Sequence, residues 1–148
     1  MVVNTSRFGQ VQVSEDRLIT FPKGLLGFPA QQRYVLIQPN DEGYFFWLQA
    51  VDAPDLAFVV TDPTIFVPEF NVPIRPEQMQ ELGLGGIADA QVLVIVNKRE
   101  GVLTGNLQGP LVIHATRRIG EQLVLADRRF HTRVPLVDLG STVRAVSA

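Results

Sequence analysis

The sequence predicts a mostly β chain: a small antiparallel β-barrel-like single domain over residues 1–140, with one or two short helices and a tail at 141–148. Three observations carry this. About ten short strand-like runs alternate with turn signals along the chain. A helix is credible at one place only, after Pro76, and it is short. The stretch Leu103–His114 joins two strand-like runs through a break at Gln108, Gly109 and Pro110. Pro110 has no N–H and a fixed φ, so it cannot sit inside a central strand. Gly109 can take the backbone angles that a residue before proline needs, and Asn106 can tie its amide to nearby backbone.

Val2–Thr5, Gln10–Val13 and Leu18–Phe21 open the chain as short strands, Val11 and Val13 alternating with polar neighbours. Pro22–Pro29 follows, with too much proline and glycine for a regular element. Its apolar residues Leu25, Leu26 and Phe28 either pack down on the core, the commoner fate, or offer a surface to a partner. Arg33–Gln38 and Tyr44–Ala50 read as a hairpin around a turn at Pro39–Gly43. Trp47, the single tryptophan, is expected to be a core or half-buried anchor, with a partner-binding role the alternative. Ala57–Val60 is an apolar strand. Asp52, Asp55 and Asp62 lack the spacing of a calcium loop and suit turns and caps.

Ile65–Ile74, cut by Pro68 and Pro73, reads as an edge strand or two short pieces. In the helix after Pro76, Glu77 suits the first turn, Met79 and Leu82 share a face, and Gly83 suits the stop. Gly83, Gly85 and Gly86 match no phosphate-binding fingerprint and read as a connector. Val92–Asn97 and Val102–Leu107 form a hairpin around Lys98–Gly101. Leu111–Ala115 and Gln122–Leu125 form another around Thr116–Gly120. Phe130–Val134 is a candidate last strand. Basic residues cluster at Arg117 and Arg118, and at Arg128, Arg129 and Arg133. Solvated strand ends explain them, an anion or acidic-partner site being the alternative.

The composition narrows the chemistry. The 148 residues suit one core, with 46% hydrophobic and 19% charged residues, as in soluble globular proteins. Net charge is −2, and the pI near 5.6 gives no footprint for direct nucleic-acid binding. No run is long enough for a membrane span, and Met1–Thr5 does not read as a signal peptide. Absence of cysteine excludes thiolate chemistry and fits a reducing compartment. His114 and His131 stand outside any zinc motif, so no metal is expected, and His114 reads as a hydrogen-bonded structural residue. No serine-nucleophile elbow is present. These features shift weight from catalysis to binding.

Thr104, Asn106, Leu107, Gly109, Pro110 and Ile113 resemble a core signature of the flagellar assembly factor FliW family. The resemblance runs the length of the chain. Arg7, Phe8, Gly9, Phe21, Pro22, Gly24, Gly27 and Phe28 look like its N-terminal pattern. Trp47, Leu48, Gln49, Asp52, Asp55, Phe58, Thr61, Pro63 and Phe66 look like its middle block, and Gly120, Gln122 and Leu125 fit its final hairpin. Two departures are His114, where family members often carry asparagine, and Phe130, near a frequent tyrosine. The resemblance implies a cytoplasmic, non-enzymatic regulator without cofactor. Such a protein binds flagellin and antagonises the translational repressor CsrA, coupling flagellin level to flagellin mRNA translation. The candidate surface for an amphipathic flagellin helix starts with the apolar loop Leu25, Leu26, Gly27 and Phe28, and Trp47 is a further partner-binding candidate. Glu42, Asp52, Asp55 and Asp62 would meet basic residues of CsrA. The rival is a split-barrel protein holding a small ligand such as a flavin in the barrel mouth, its phosphate on Arg117, Arg118, Arg128 and Arg129.

Overall fold

The computed structural model describes residues 1–39, 43–127 and 129–138. Glu42, Arg128, most of the predicted turn at Pro39–Gly43 and the predicted tail lie outside the described residues. Eleven strands are present among them: β1 Val2–Thr5, β2 Gly9–Gln12, β3 Ile19–Thr20, β4 Arg33–Ile37, β5 Phe45–Ala50, β6 Ala57–Thr61, β7 Ala90–Arg99, β8 Val102–Gly105, β9 Leu111–His114, β10 Gly120–Gln122 and β11 Val134–Asp138. The α-helix, α1, is Pro76–Leu82. The mostly β, barrel-like architecture is the predicted one.

The strands β1 and β2 form a separate antiparallel hairpin. The main sheet runs β10-β9-β7-β6-β5-β4-β3, all neighbours antiparallel. Its two ends meet through a parallel bridge between Thr20 and Ile119, where the Thr20 N–H donates to Arg118 O at 2.9 Å. The curl encloses an inner core of Ile19, Phe21, Leu25, Tyr34, Leu48, Ala50, Val60, Leu93, Leu111 and Ile113. Alternation along β7 sends Leu93 inward and Val94 outward. The outward side carries a second core, Val94, Leu107, Val112, Leu123 and Leu125, roofed by Phe70, Val72, Leu82 and Leu84.

The long strand β7 holds the two halves together. On one side it pairs with β6, and on the other with both β8 and β9. The break at Gln108–Pro110 lets the chain leave β8 and return as β9. Asn106 fixes this break, its Oδ1 accepting from the Gly109 N–H at 2.9 Å. The need for glycine at 109 is close approach: a Cβ would sit 3.0 Å from Asn106 Nδ2 and 3.1 Å from Gln122 Nε2. Asn106→Ala is expected to cost about 1–3 kcal/mol, because it leaves the buried Gly109 donor unmatched. Urea denaturation reads this directly.

Three predicted strands differ. Ile65–Ile74 forms no strand; Pro63–Ile65 is a 3-10 turn, and the stretch beyond it drapes Phe70 and Val72 into the outer core. Pro68 and Pro73 remove the donors that a ladder needs, so side-chain burial holds the segment instead. The last strand is Val134–Asp138, pairing with β8, rather than Phe130–Val134. Phe130 is spent on Phe70, edge to face at 4.7 Å. The second predicted hairpin strand is displaced to Gly120–Gln122, although Leu123 and Leu125 N–H groups continue its pairing to Pro110 and Gln108 carbonyls.

Candidate partner-binding site

The loop between β3 and β4 divides its apolar residues between two roles. Leu25 is buried in the inner core at 3% exposure, whereas Leu26 is 59% and Phe28 40% exposed. Leu25 and Phe28 form an antiparallel bridge, the Phe28 N–H donating to Leu25 O at 2.8 Å. Leu26 and Gly27 therefore sit at the tip of a tight turn, Gly27 at φ +87°. Gly24 also has a left-handed φ of +66° and lies against Phe28 and Pro29 backbone. Phe28 rests edge to face on Phe58 at 5.4 Å. The sequence alternatives for this loop, packed down or displayed, are both realised, residue by residue.

Hydrogen bonds fasten the loop to the kink below. Gln122 Oε1 accepts from the Leu26 N–H at 2.8 Å, and Gln122 Nε2 donates to Gly109 O at 3.0 Å. Gly109 in turn donates to Asn106, so the Asn106–Gly109–Gln122 set supports the tip at Leu26. Beside the loop is a hollow of about 320 Å³ lined by Pro22, Lys23, Glu81, Leu82, Ile119, Gly120 and Glu121. Lys23 Nζ lies 2.6 Å from Glu121 and 3.0 Å from Glu81, tying the loop to β10 and α1. The hydrogen bond to Glu121 leads in raising the Lys23 pKa above its usual value. The other carboxylate oxygen of Glu121 is buried without a partner among the described residues. Lys23, Glu81 and Glu121 join only through long-range folding, so local pattern gave no signal for them.

The remaining candidates lie elsewhere. Trp47 is half-buried on β5, with Phe8 edge to face at 6.0 Å and the Arg7 guanidinium 4.0 Å above its ring. It follows the alternation of β5 onto the face opposite inward Leu48, so Trp47 and Phe28 do not share a surface. Asp52 is paired with Arg33 at 2.7 and 3.1 Å, and the Arg33 hydrogen bond lowers its pKa below the usual carboxylate value. Asp55 accepts from the Ser6 hydroxyl. Asp62 caps the 3-10 turn, accepting from the Thr64 N–H at 2.9 Å. Asp62 alone takes the capping role expected of the aspartates; Asp52 and Asp55 lie in the β5–β6 loop but bond to Arg33 and Ser6. Asp62 lies at the far end of β6 from Asp52 and Asp55, so the three form no single cluster. Gln49, buried near the end of β5, directs Nε2 at the carbonyls of Ala50, Ala53, Pro54 and Leu56 and holds the β5–β6 loop.

In the signature, Leu107, Gly109 and Pro110 are buried, Asn106 is half-buried, and Thr104 is half-buried with its hydroxyl 3.5 Å from Asn97 O. His114 is buried, and its Nδ1 accepts from the Thr116 and Arg117 N–H groups at 3.2 and 3.1 Å. A ring nitrogen thereby serves the following turn as an acceptor. The arginines are dispersed: Arg118 donates to Arg17 O, and Arg129 pairs with Asp127. Arg128, the fourth arginine of the small-ligand alternative, lies outside the described residues, and inner core side chains fill the barrel interior. Tyr34 is fully buried there, and desolvation pushes its hydroxyl up to about 12. Among the described residues, no group of three or more potential metal ligands assembles.

Comparison with known proteins agrees with this architecture. The model of the family described as FliW protein matches residues 2–136. The flagellar assembly factor FliW of Geotalea uraniireducens is 38% identical over 140 residues, covering 93% of this chain and 85% of that protein. Its counterpart in Natranaerobius thermophilus is 35% identical over 148 residues, covering 97% and 98%. A crystal structure of the flagellar assembly factor FliW superposes with a TM-score of 0.84 at 28% identity, covering 93% of this chain and 97% of that one. A family match spanning nearly every described strand, together with the shared fold, establishes that this chain belongs to the FliW family.

Proposed function

We propose that this chain is a non-enzymatic, cytoplasmic flagellar assembly factor that binds flagellin and antagonises the translational repressor CsrA. Free protein sequesters CsrA and relieves repression of flagellin mRNA. Accumulating flagellin then occupies the protein and returns CsrA to the mRNA, a mass-action link between two ligands. Family membership supports the role in assembly. The observation that carries the binding reading is the β3–β4 loop, which displays Leu26 and Phe28 while Leu25 and Gln122 hold it in place. An amphipathic helix of flagellin fits this arrangement, its apolar side chains against the exposed Leu26 and Phe28. Trp47, on another face, is assigned a secondary role.

For CsrA, the proposed contacts are Asp52 and Asp55 on the β5–β6 loop, with Asp62 and Glu42 as outlying carboxylates. Their charge would steer a basic RNA-binding protein. No direct nucleic-acid contact and no membrane contact is proposed; among the described residues, no helix is long and apolar enough to cross a membrane. Calorimetric titration of the purified protein with flagellin and with CsrA separately tests the reading. Saturable binding of both at micromolar concentration is expected, and failure to bind flagellin overturns it.

A further inference from the structure

A second surface has chemistry opposite to that of the carboxylate loops. Lys98 and Arg99 end β7, and Arg133 arrives from the segment before β11. With Ile95, Asn97, Thr104, Asn106 and Thr132 they line an open cleft of about 440 Å³. Among the residues whose side chains are described, no carboxylate forms an ion pair with any of these three cations. The acidic residues nearest in register are Glu100, at the hairpin tip, and Asp138, opposite Val102. The wall is built rather than incidental. The β7–β8 hairpin turns through Glu100 and Gly101, at φ 52° and 79°, which holds Lys98 and Arg99 in the paired strand end just before a two-residue turn. The Leu107 N–H donates to His131 O at 3.1 Å, which ties the segment carrying Thr132 and Arg133 to the kink. Asn106 uses Oδ1 on Gly109, and its Nδ2 donates to none of the described residues.

We infer that this cleft docks an acidic peptide segment of a protein partner, its carboxylates on Lys98, Arg99 and Arg133 and its backbone carbonyls on Asn106 and the threonine hydroxyls. The inference is independent of the apolar loop and goes beyond the function proposed above. Charge complementarity selects an anionic ligand, on a chain whose net charge of −2 makes this cationic cleft exceptional. The lining contains no aromatic side chain on which a base can stack, which favours a peptide over single-stranded nucleic acid.

The test uses the full chain and a fluorescein-labelled polyglutamate peptide, followed by anisotropy at about 50 mM salt, where the Debye length still spans the cleft. Saturable binding that weakens with added salt is expected. The double variant Lys98→Gln, Arg133→Gln is expected to lose affinity at least about tenfold. Arg129→Gln, whose side chain is exposed and pairs with Asp127, controls for general loss of charge and is expected to bind like the parent. Thermal melts confirm that each variant is folded. Absence of saturable binding by the parent overturns the inference. So does undiminished affinity in the folded double variant, an equal loss in Arg129→Gln, or tighter binding of a labelled oligouridine than of the peptide.

Discussion

Gly24→Ala is expected to destabilise the protein by about 2–5 kcal/mol, whereas Gly27→Ala, three residues on, costs about 1–2 kcal/mol. Both glycines have left-handed φ, +66° and +87°, so both substitutions carry the backbone penalty. They differ in surroundings. A Cβ at Gly24 would lie 2.6 Å from Phe28 O, 2.6 Å from Pro29 Cα and 2.7 Å from Pro29 O, and these are backbone atoms that no rotamer change can move. A Cβ at Gly27 meets nothing within 4 Å. Escape at Gly24 requires opening the Leu25–Phe28 bridge, which withdraws Leu25 from the inner core and disperses Leu26 and Phe28. Urea denaturation of the two variants checks the difference. Equal costs would mean that the crowding beneath the loop is absent.

Leu26→Asp is expected to lower flagellin affinity about a hundredfold, roughly 2.7 kcal/mol, on the proposed function. The same change is expected to leave stability within about 0.5 kcal/mol, because Leu26 is largely exposed and its backbone bond to Gln122 is retained. Calorimetry and a thermal melt on one preparation separate the two quantities. Phe28→Ala is less clean, since it also removes the packing on Phe58 and so weakens fold and binding together. Parent-like flagellin binding by folded Leu26→Asp would remove the loop from the proposed interface.

The sequence made the strands legible where hydrophobic pattern and turn chemistry agreed. The β7–β8 hairpin is marked by a glycine at the position its turn requires, and the kink by Gly109–Pro110. α1 was readable from Pro76 and Gly83 at its ends, with Leu82 buried and Met79 half-buried on the shared face. Ile65–Ile74 misled because its apolar residues resemble strand positions, whereas two prolines left burial without a ladder. Phe130 misled similarly, an aromatic residue of strand-like character whose partner, Phe70, lies far away in sequence. In the candidate site, the display of Leu26 and Phe28 was an open alternative that only packing of Leu25 could decide. The Lys23–Glu121–Glu81 set and the cleft of Lys98, Arg99 and Arg133 join residues distant in sequence. Their meeting depends on which strands neighbour which, information that no local spacing contains.

The coupling of two partners through one protein is tested most directly by a titration of CsrA bound to labelled flagellin-leader RNA. Addition of this chain is expected to release the RNA as CsrA is captured, and subsequent addition of flagellin is expected to restore the RNA complex as flagellin competes for the chain. Retention of RNA on CsrA at saturating concentrations of the chain, or release that flagellin does not reverse, would contradict the proposed function.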